Sequence, residues 1–325
     1  MSTMRAIEIT ATGGPEVMRL VERPRPQPGP GQVRVRNAAC GVNFIDIYHR
    51  TGFYPLPLPF VPGLEGAGVV DAVGPGATRF KPGDRVAYPS SPGAYAEYTC
   101  LAQDRVVPVP EGLDLDIAAA AMLQGLTAHA LTHSAYVIRP GDVVLIHAAA
   151  GGVGQMLVQM AKLRGGRVLA TVSTEAKAAV ARARGADEVI LYSQEDFVAA
   201  TRRLTDGAGV HAVYDSVGAS TFLKGLDVLR RRGTMVLFGQ SSGPVEPISP
   251  LLLLNKGSLF LTRPTLFDYI AEADELAARA QDLLGWLASG RISLRIDRRL
   301  PLAEAAQAHA LLASRATCGK LLLVP

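Results

Sequence analysis

Residues 143–154 read VVLIHAAAGGVG, and this stretch decides the fold. Val143–His147 is a short apolar run, Gly151, Gly152 and Gly154 interrupt it, and helical spacing begins at Val153. A strand, a glycine turn and a helix start in direct succession form the phosphate end of a dinucleotide-binding βαβ unit. The run matches G-x-G-x-x-G with Ala149 in place of the first glycine. Gly151 lets backbone approach a pyrophosphate, and Gly154 permits close contact of helix and sheet. The N–H groups near Gly152 and Val153 then meet the anion at a positive helix end. The uncharged stretch Val143–Ala161 also invites a membrane reading. Its three glycines, with His147, Gln155 and Gln159, divide it instead into strand, turn and helix.

Outward from this turn, strand-like runs alternate with helical ones. The strands are Val143–His147, Arg167–Val172, Glu188–Tyr192, His211–Asp215 and Thr234–Phe238; the helices are Val153–Arg164, Glu175–Arg184, Gln194–Leu204 and Ser220–Arg231. Such alternation gives right-handed crossovers and a parallel sheet covered on both faces. Ser258–Arg263 supplies a sixth strand and completes a doubly wound sheet. This run is too apolar for an exposed edge, so pairing with a symmetry mate is expected. Arg230-Arg231-Arg232-Gly233 reads as a basic last helical turn followed by a C′ glycine.

Up to about Leu123 the texture is β-rich and full of turns. Val33–Arg36 alternates like a half-buried strand, and Gly-Pro pairs recur at Gly29-Pro30-Gly31 and Gly74-Pro75-Gly76. The run YPLPLPFVP from Tyr54 to Pro62 reads as a stiff extended loop. At the other end, helices at Ala271–Ser289 and Ala303–Ser314 precede a short strand, Lys320–Val324.

At about 150 residues per domain, 325 residues make roughly two domains. With 48% hydrophobic and 19% charged residues, two cores can be filled and a disordered chain is excluded. The net charge of +4 is scattered, so no nucleic-acid-binding stripe is visible. Cys40, Cys100 and Cys318 are too far apart for a disulfide framework or a C-x-x-C knuckle, which fits a reducing compartment. Arg5 and Glu8 fall where a signal peptide needs its apolar run, so a cytoplasmic protein without membrane insertion is expected.

The end of the second strand governs cofactor choice. An NAD site usually places an acid there for the ribose 2′-OH. Here that end is Ser173, and Ser173, Thr174 and Lys177 offer hydroxyls and a cation to a 2′-phosphate. NADPH is the favoured cofactor.

The motifs GGPEVM, GVNFIDIYHRTGFYP, PGLEGAGVV, HAAAGGVG, YDSVG, FGQSSG, KGSLFLTRPTL and SRATCGKLLLVP occur in this order along nearly the whole chain. In this set the sequence resembles the NADPH:quinone oxidoreductases, the zinc-free branch of the medium-chain dehydrogenase/reductase superfamily. The resemblance implies an α/β protein with a GroES-like β-rich catalytic domain over 1–123. It implies a Rossmann NADPH-binding domain with a doubly wound, six-stranded parallel sheet over 124–265. A C-terminal segment, 266–325, would return to the catalytic domain. It further implies a homodimer, here through the edge strand of the Rossmann sheet, and a small quinone as substrate.

Zinc-bearing relatives hold their metal at places that match Asn43, Leu64 and Gln124, none a usual zinc ligand, so no metal is expected. Without zinc, hydride transfer to an electrophilic quinone needs positioning and a few hydrogen-bond donors. Asn43 and Gln124 carry amides, while Tyr48 and Tyr54 add phenols and flat rings, and these four are the candidate catalytic residues. Asp46 reads as holding its own loop or the cofactor.

The resemblance carries cofactor contacts to Asn43, Phe44, Ile45, Asp46, Ile47 and Tyr48, and to Gly151, Gly152, Val153 and Gly154 in the turn. It extends them to Ser173, Thr174, Lys177, Tyr192, Ser216, Phe238, Gln240, Ser241, Arg263 and Arg315. After Gly125-Leu126-Thr127 the family often has an aromatic pair; His129-Ala130 stands there instead, and His129 takes that place. Two rival readings share these features. One is reduction of α,β-unsaturated carbonyls, and the other is a non-catalytic NADPH-binding structural or RNA-regulatory protein.

Overall fold

The computed structural model describes every residue except Met1, Ser90, Ser91 and Arg315. It divides into two compact units, residues 1–126 with 270–325, and residues 127–269.

The second unit is built on a parallel sheet of six strands. Across the sheet they lie in the order Glu188–Leu191, Arg167–Val172, Val143–Ile146, Val210–Asp215, Leu229–Leu237 and Phe260–Thr262. The chain starts in the middle, winds outward one way, then returns and winds outward the other way. The reversal lies between Val143–Ile146 and Val210–Asp215, the place where doubly wound sheets open a crevice at their carboxyl ends. Leu145, Leu169, Ile190, Val213 and Met235 form one core with Phe197, Phe222 and Leu226 from the covering helices. This is the Rossmann arrangement.

Three details depart from the sequence expectation. The helix expected over Ser220–Arg231 ends at Asp227, and the arginines begin the strand Leu229–Leu237 instead. Arg232, not Gly233, adopts the left-handed conformation (φ 56°), and its N–H donates to the Gly257 carbonyl. A Cβ on Gly233 would sit 2.9 Å from the Arg230 carbonyl oxygen, so the glycine serves a tight kink in a strand. The next helix boundary also moves. Asp196 accepts from the Ala199 N–H and starts Phe197–Leu204, later than Gln194. The edge strand is shorter than Ser258–Arg263, because Ser258 is itself left-handed (φ 55°) and pairing begins at Phe260.

The first unit is a β-structure around the long strand Gln32–Val42. The sheet runs Ile296–Pro301, Lys320–Val324, Gln32–Val42, Glu65–Val73, Arg85–Pro89 and Val107–Pro108, and Tyr98–Ala102 also pairs with Gln32–Val42. Thr3–Ile9 and Met18–Pro24 form a separate antiparallel pair. Val33, Val35, Cys40, Val70, Val86 and Tyr88 share a core with Leu321 and Leu323 from the chain's end. This is the GroES-like β-rich unit. The last strand pairs Leu321 with Val42 in antiparallel register. That register sets Lys320 beside the residue after Val42, which is Asn43.

Candidate functional site

In the second unit the sequence-predicted residues gather at the carboxyl edge of the sheet. The helix Gly152–Leu163 starts at Gly151, and no side chain caps its first turn. Its leading amides are therefore donors without an intrahelical acceptor. Gly151 has extended backbone and a Cβ there would lie 3.2 Å from the Ala148 oxygen. Gly154 is far tighter: its missing Cβ would fall 2.3 Å from that oxygen and 2.8 Å from the Ala149 Cα. Backbone fills the room of a side chain, and a cradle suited to a phosphate remains open on the amide side.

The neighbouring strand ends carry the other candidates. Thr174 caps the helix Glu175–Ala183 by accepting from the Lys177 N–H at 3.3 Å, which keeps its own O–H as a donor. Ser173 closes the same turn, its carbonyl accepting from the Ser193 hydroxyl. Glu175 is exposed and pairs with Arg182, so it does not turn back toward Ser173. Tyr192 is exposed just past Glu188–Leu191.

After the fourth strand in chain order, buried Asp215 organises the loop. It accepts from the Val217 and Gly218 amides and from the Thr221 hydroxyl. Ser216 in turn accepts from the Ser241 N–H, and Phe238 donates its N–H to the Asp215 carbonyl. These bonds draw Ser216, Phe238, Gln240 and Ser241 into one loop pair. Arg263 joins them by donating to the Leu237 carbonyl at 3.1 Å. His129 is buried and stacks on His133, with ring centroids 4.2 Å apart and planes within 9°. Arg315 lies outside the described residues.

In the first unit the strand Gln32–Val42 runs directly into the helix Phe44–Thr51. Asn43 caps that helix with extended backbone, and its N–H donates to the Asp46 carboxylate at 2.8 Å. Phe44, Ile45 and Ile47 lie on the same short helix. Gly52 (φ 80°) turns the chain back, so the Tyr54 N–H reaches the Tyr48 carbonyl at 3.1 Å. The Tyr48 and Tyr54 rings meet edge-on at 5.3 Å, with Phe53 against both. Two candidate phenols are thus brought together as one aromatic patch.

Asn43 proves to be held from both sides. Lys320 Nζ donates to its Oδ1 at 2.6 Å, and its Nδ2 donates to Glu65 Oε1 at 2.7 Å. An ammonium only donates and a carboxylate only accepts, which fixes the orientation of the amide. Lys320 and Glu65 are an ion pair, 3% and 0% exposed in their side chains. Glu65 Oε2 also accepts the Leu123 N–H at 2.6 Å, from the residue directly before buried Gln124 on the same helix. Leu64 is buried beside Glu65. A cation already occupies the place beside Asn43, and a leucine and two amides make a poor donor set for zinc. Among the described residues no group of three or more His, Cys, Asp or Glu could hold a metal ion.

Sequence reasoning missed several members of this cluster. Glu65 and Lys320 lay within quoted motifs but carried no assigned role. Tyr95 and His309 lay in no motif at all. Burial pushes the Asp46 carboxyl up to about 7, against hydrogen bonds from Asn43 and Tyr95. Burial also drives the Cys40 thiol up, so this residue is inert packing. No helix among the described residues is long and apolar enough to cross a membrane.

Comparison with known proteins follows the same division. Residues 29–111 match the alcohol dehydrogenase GroES-like domain, and residues 152–284 match the family described as zinc-binding dehydrogenase. The chain is 48% identical to a quinone oxidoreductase of Pseudomonas aeruginosa over 323 residues, 99% of each protein. It is 43% identical to a 2-haloacrylate reductase of a Burkholderia species, covering 98% of each. It superimposes on the structure of Escherichia coli quinone oxidoreductase complexed with NADPH with a TM-score of 0.96, at 43% identity and complete coverage of both chains. With both domains matched and near-complete coverage, the chain belongs to the quinone oxidoreductase family of the medium-chain dehydrogenases/reductases, and it is an oxidoreductase.

Proposed function

We propose that this protein reduces quinones with NADPH, by hydride transfer from the nicotinamide and without zinc. The observation that carries the reading is the environment of Asn43. Its amide is clamped between Lys320 and Glu65, so a position matched to a metal ligand in zinc-bearing relatives is built from hydrogen-bonding groups. The fit to NADPH rests on the uncapped first turn at Gly152, the filled space behind Gly154, and Ser173 where an acid would favour NAD. The NADPH-bound Escherichia coli relative supports the same choice.

When bound, the nicotinamide supplies a hydride, and the overall change is quinone plus NADPH plus a proton to hydroquinone plus NADP⁺. The chain's own residues position the acceptor and stabilise the negative charge that grows on its oxygen. Tyr48, Tyr54 and Gln124 are the candidate donors. Asn43 Nδ2 donates to Glu65 and, at 3.5 Å, to the Gly41 carbonyl, which holds the amide in place beside these donors. Solvent delivers the last proton.

A second reading, reduction of α,β-unsaturated carbonyls, is favoured by the 2-haloacrylate reductase relative. Steady-state NADPH oxidation on a panel of quinones, enones and 2-haloacrylate, before and after chelation, separates these readings. Faster turnover of quinones that survives chelation is expected. Preference for the haloacrylate transfers the assignment to the second reading. Tight NADPH binding with no turnover points to a non-catalytic role, and activity lost with one zinc per chain overturns the metal-free reading.

We also propose a cytoplasmic homodimer formed by the sheet edge at Phe260–Thr262, where Phe260 is 61% and Leu261 37% exposed. A monomer in sedimentation at about micromolar concentration overturns the dimer.

A further inference from the structure

Four buried side chains of the first unit form a hydrogen-bond chain with a readable direction. Arg50, on the helix Phe44–Thr51, lies 3.3 Å from His309 Nδ1. A guanidinium has donors only, so Nδ1 accepts and the neutral ring carries its proton on Nε2. That nitrogen is 3.2 Å from the Tyr95 hydroxyl, which therefore accepts from it. The Tyr95 O–H is then free to donate, and it does so to Asp46 Oδ2 at 3.0 Å. Asp46, Tyr95 and His309 are wholly buried and Arg50 is 5% exposed. The other carboxyl oxygen, Asp46 Oδ1, is buried without a hydrogen-bond partner.

We propose that His309 and Tyr95 are positioning residues: oriented by Arg50, they deliver one hydrogen bond to Asp46 and so set whether its free oxygen, Oδ1, carries a proton. The inference rests on the proposed NADPH binding, with the helix start Asn43–Tyr48 that carries Asp46 lying against the cofactor, and deepens it. A carboxylate there favours the oxidised, positively charged nicotinamide over the reduced, neutral one, whereas a protonated carboxyl does not. The charge state of Asp46 thus tunes the relative affinity for NADP⁺ and NADPH.

The surroundings place this titration at a useful pH. Burial raises the Asp46 pKa to about 7; the Asn43 N–H, Tyr95 and Lys320 pull it down, and Glu65 pushes it up. Cys40, under the helix, stays a neutral thiol. His49, on the same helix as Asp46, is held below its usual value by burial. Burial, with Arg50 beside it, lowers His309 to about 3, so the ring stays neutral while Asp46 titrates.

Two measurements on the whole protein test this. The first uses the enzyme without nucleotide, with nitrogen-15 histidine and carbon-13 at Asp Cγ, read by NMR. His309 is expected as the Nε2–H tautomer, and Asp46 as a carboxyl with its midpoint near 7. Tyr95→Phe and His309→Leu each raise that midpoint by about one pH unit, a tenfold shift in the proton equilibrium. His309→Gln keeps an N–H donor and restores it.

The second measurement is the ratio of Kd values for NADP⁺ and NADPH. It is expected to fall about tenfold between about pH 6 and 8.5 in the wild type, and to stay flat in Asp46→Asn. A His309 proton on Nδ1, or an Asp46 midpoint unmoved by both Tyr95→Phe and His309→Leu, overturns the network. A flat wild-type ratio overturns its role toward the nucleotide. Failure of the quinone assignment alone leaves all of these outcomes untouched.

Discussion

The anion-facing turn of the second unit is made of backbone, whereas the polar cluster of the first unit is made of side chains from distant segments. At Gly154 the device is an absence, a Cβ that the Ala148 oxygen leaves no room for. Around Asn43 and Asp46 it is a set of satisfied partners: Glu65 from one strand, Lys320 from the last, Tyr95 and His309 from elsewhere. The two devices fail differently. A steric device breaks when an atom is added, and a buried polar device breaks when a partner is removed.

The largest expected effect comes from removing a partner. Lys320→Met leaves the Glu65 carboxylate buried opposite an alkyl chain and should cost about 3–5 kcal/mol. The double change Lys320→Met/Glu65→Gln should recover most of it, since no uncompensated charge remains. Trp286, the chain's one tryptophan, lies in the first unit, and its fluorescence during urea unfolding reads this. A cost under about 1 kcal/mol would make the pair no more than a surface bridge.

The added-atom counterpart is next. Gly154→Val should weaken NADPH binding by about 100-fold, or about 2.8 kcal/mol, because backbone must shift to admit the side chain. Gly151→Ala faces a contact of 3.2 Å instead of 2.3 Å and should cost far less. Equal losses in the two variants would mean that crowding behind the turn is not what the glycines relieve.

These contrasts also explain what could be read in advance. The Rossmann half was legible because each part is local: a strand, a glycine and a helix start lie within a dozen residues. Even there, Arg230–Gly233 misled, since a basic run before glycine looks alike at a helix end and at a kinked strand start. In the first unit, GVNFIDIY marked the helix and its cap. Nothing near Asn43 announces Lys320, whose place depends on the register of a strand far along the chain. Tyr95 and His309 each look ordinary in sequence. They gain meaning only where Gly63 (φ 91°), with no Cβ to strike the Tyr95 ring, lets that ring lie beneath the helix. Side-chain networks of this kind have no spacing to detect.

A smaller effect sharpens the nucleotide side. Lys177→Ala should weaken NADPH by about 1.5–3 kcal/mol and leave NADH unchanged, if a charged hydrogen bond to the 2′-phosphate is lost. Thr174 keeps its capping role, so the helix stays in place. Titration of both nucleotides against wild type and variant is the check. Parallel losses for NADH and NADPH would assign Lys177 to the fold instead of the phosphate.

The smallest expected effect is a near absence of slope. His309 is held at about 3, below its ordinary 6.5, so the unfolded chain binds its proton first. Its contribution to stability is complete above about 6.5 and is lost as pH falls toward 3. Asp46 is raised from 3.8 to about 7, so the folded chain holds its proton longer. That contribution is complete below 3.8 and is lost as pH rises through 7. Across the shared window the two slopes have opposite sign, each up to about 1.4 kcal/mol per pH unit. In the wild type they nearly cancel. His309→Gln should unmask a stability that falls as pH rises through this window, and Asp46→Asn one that rises. Urea midpoints followed at Trp286 between about pH 4.5 and 6.5 give both signs directly. Should both variants slope the same way, the two buried groups do not titrate against each other, and the cluster offsets its charges by some other pairing.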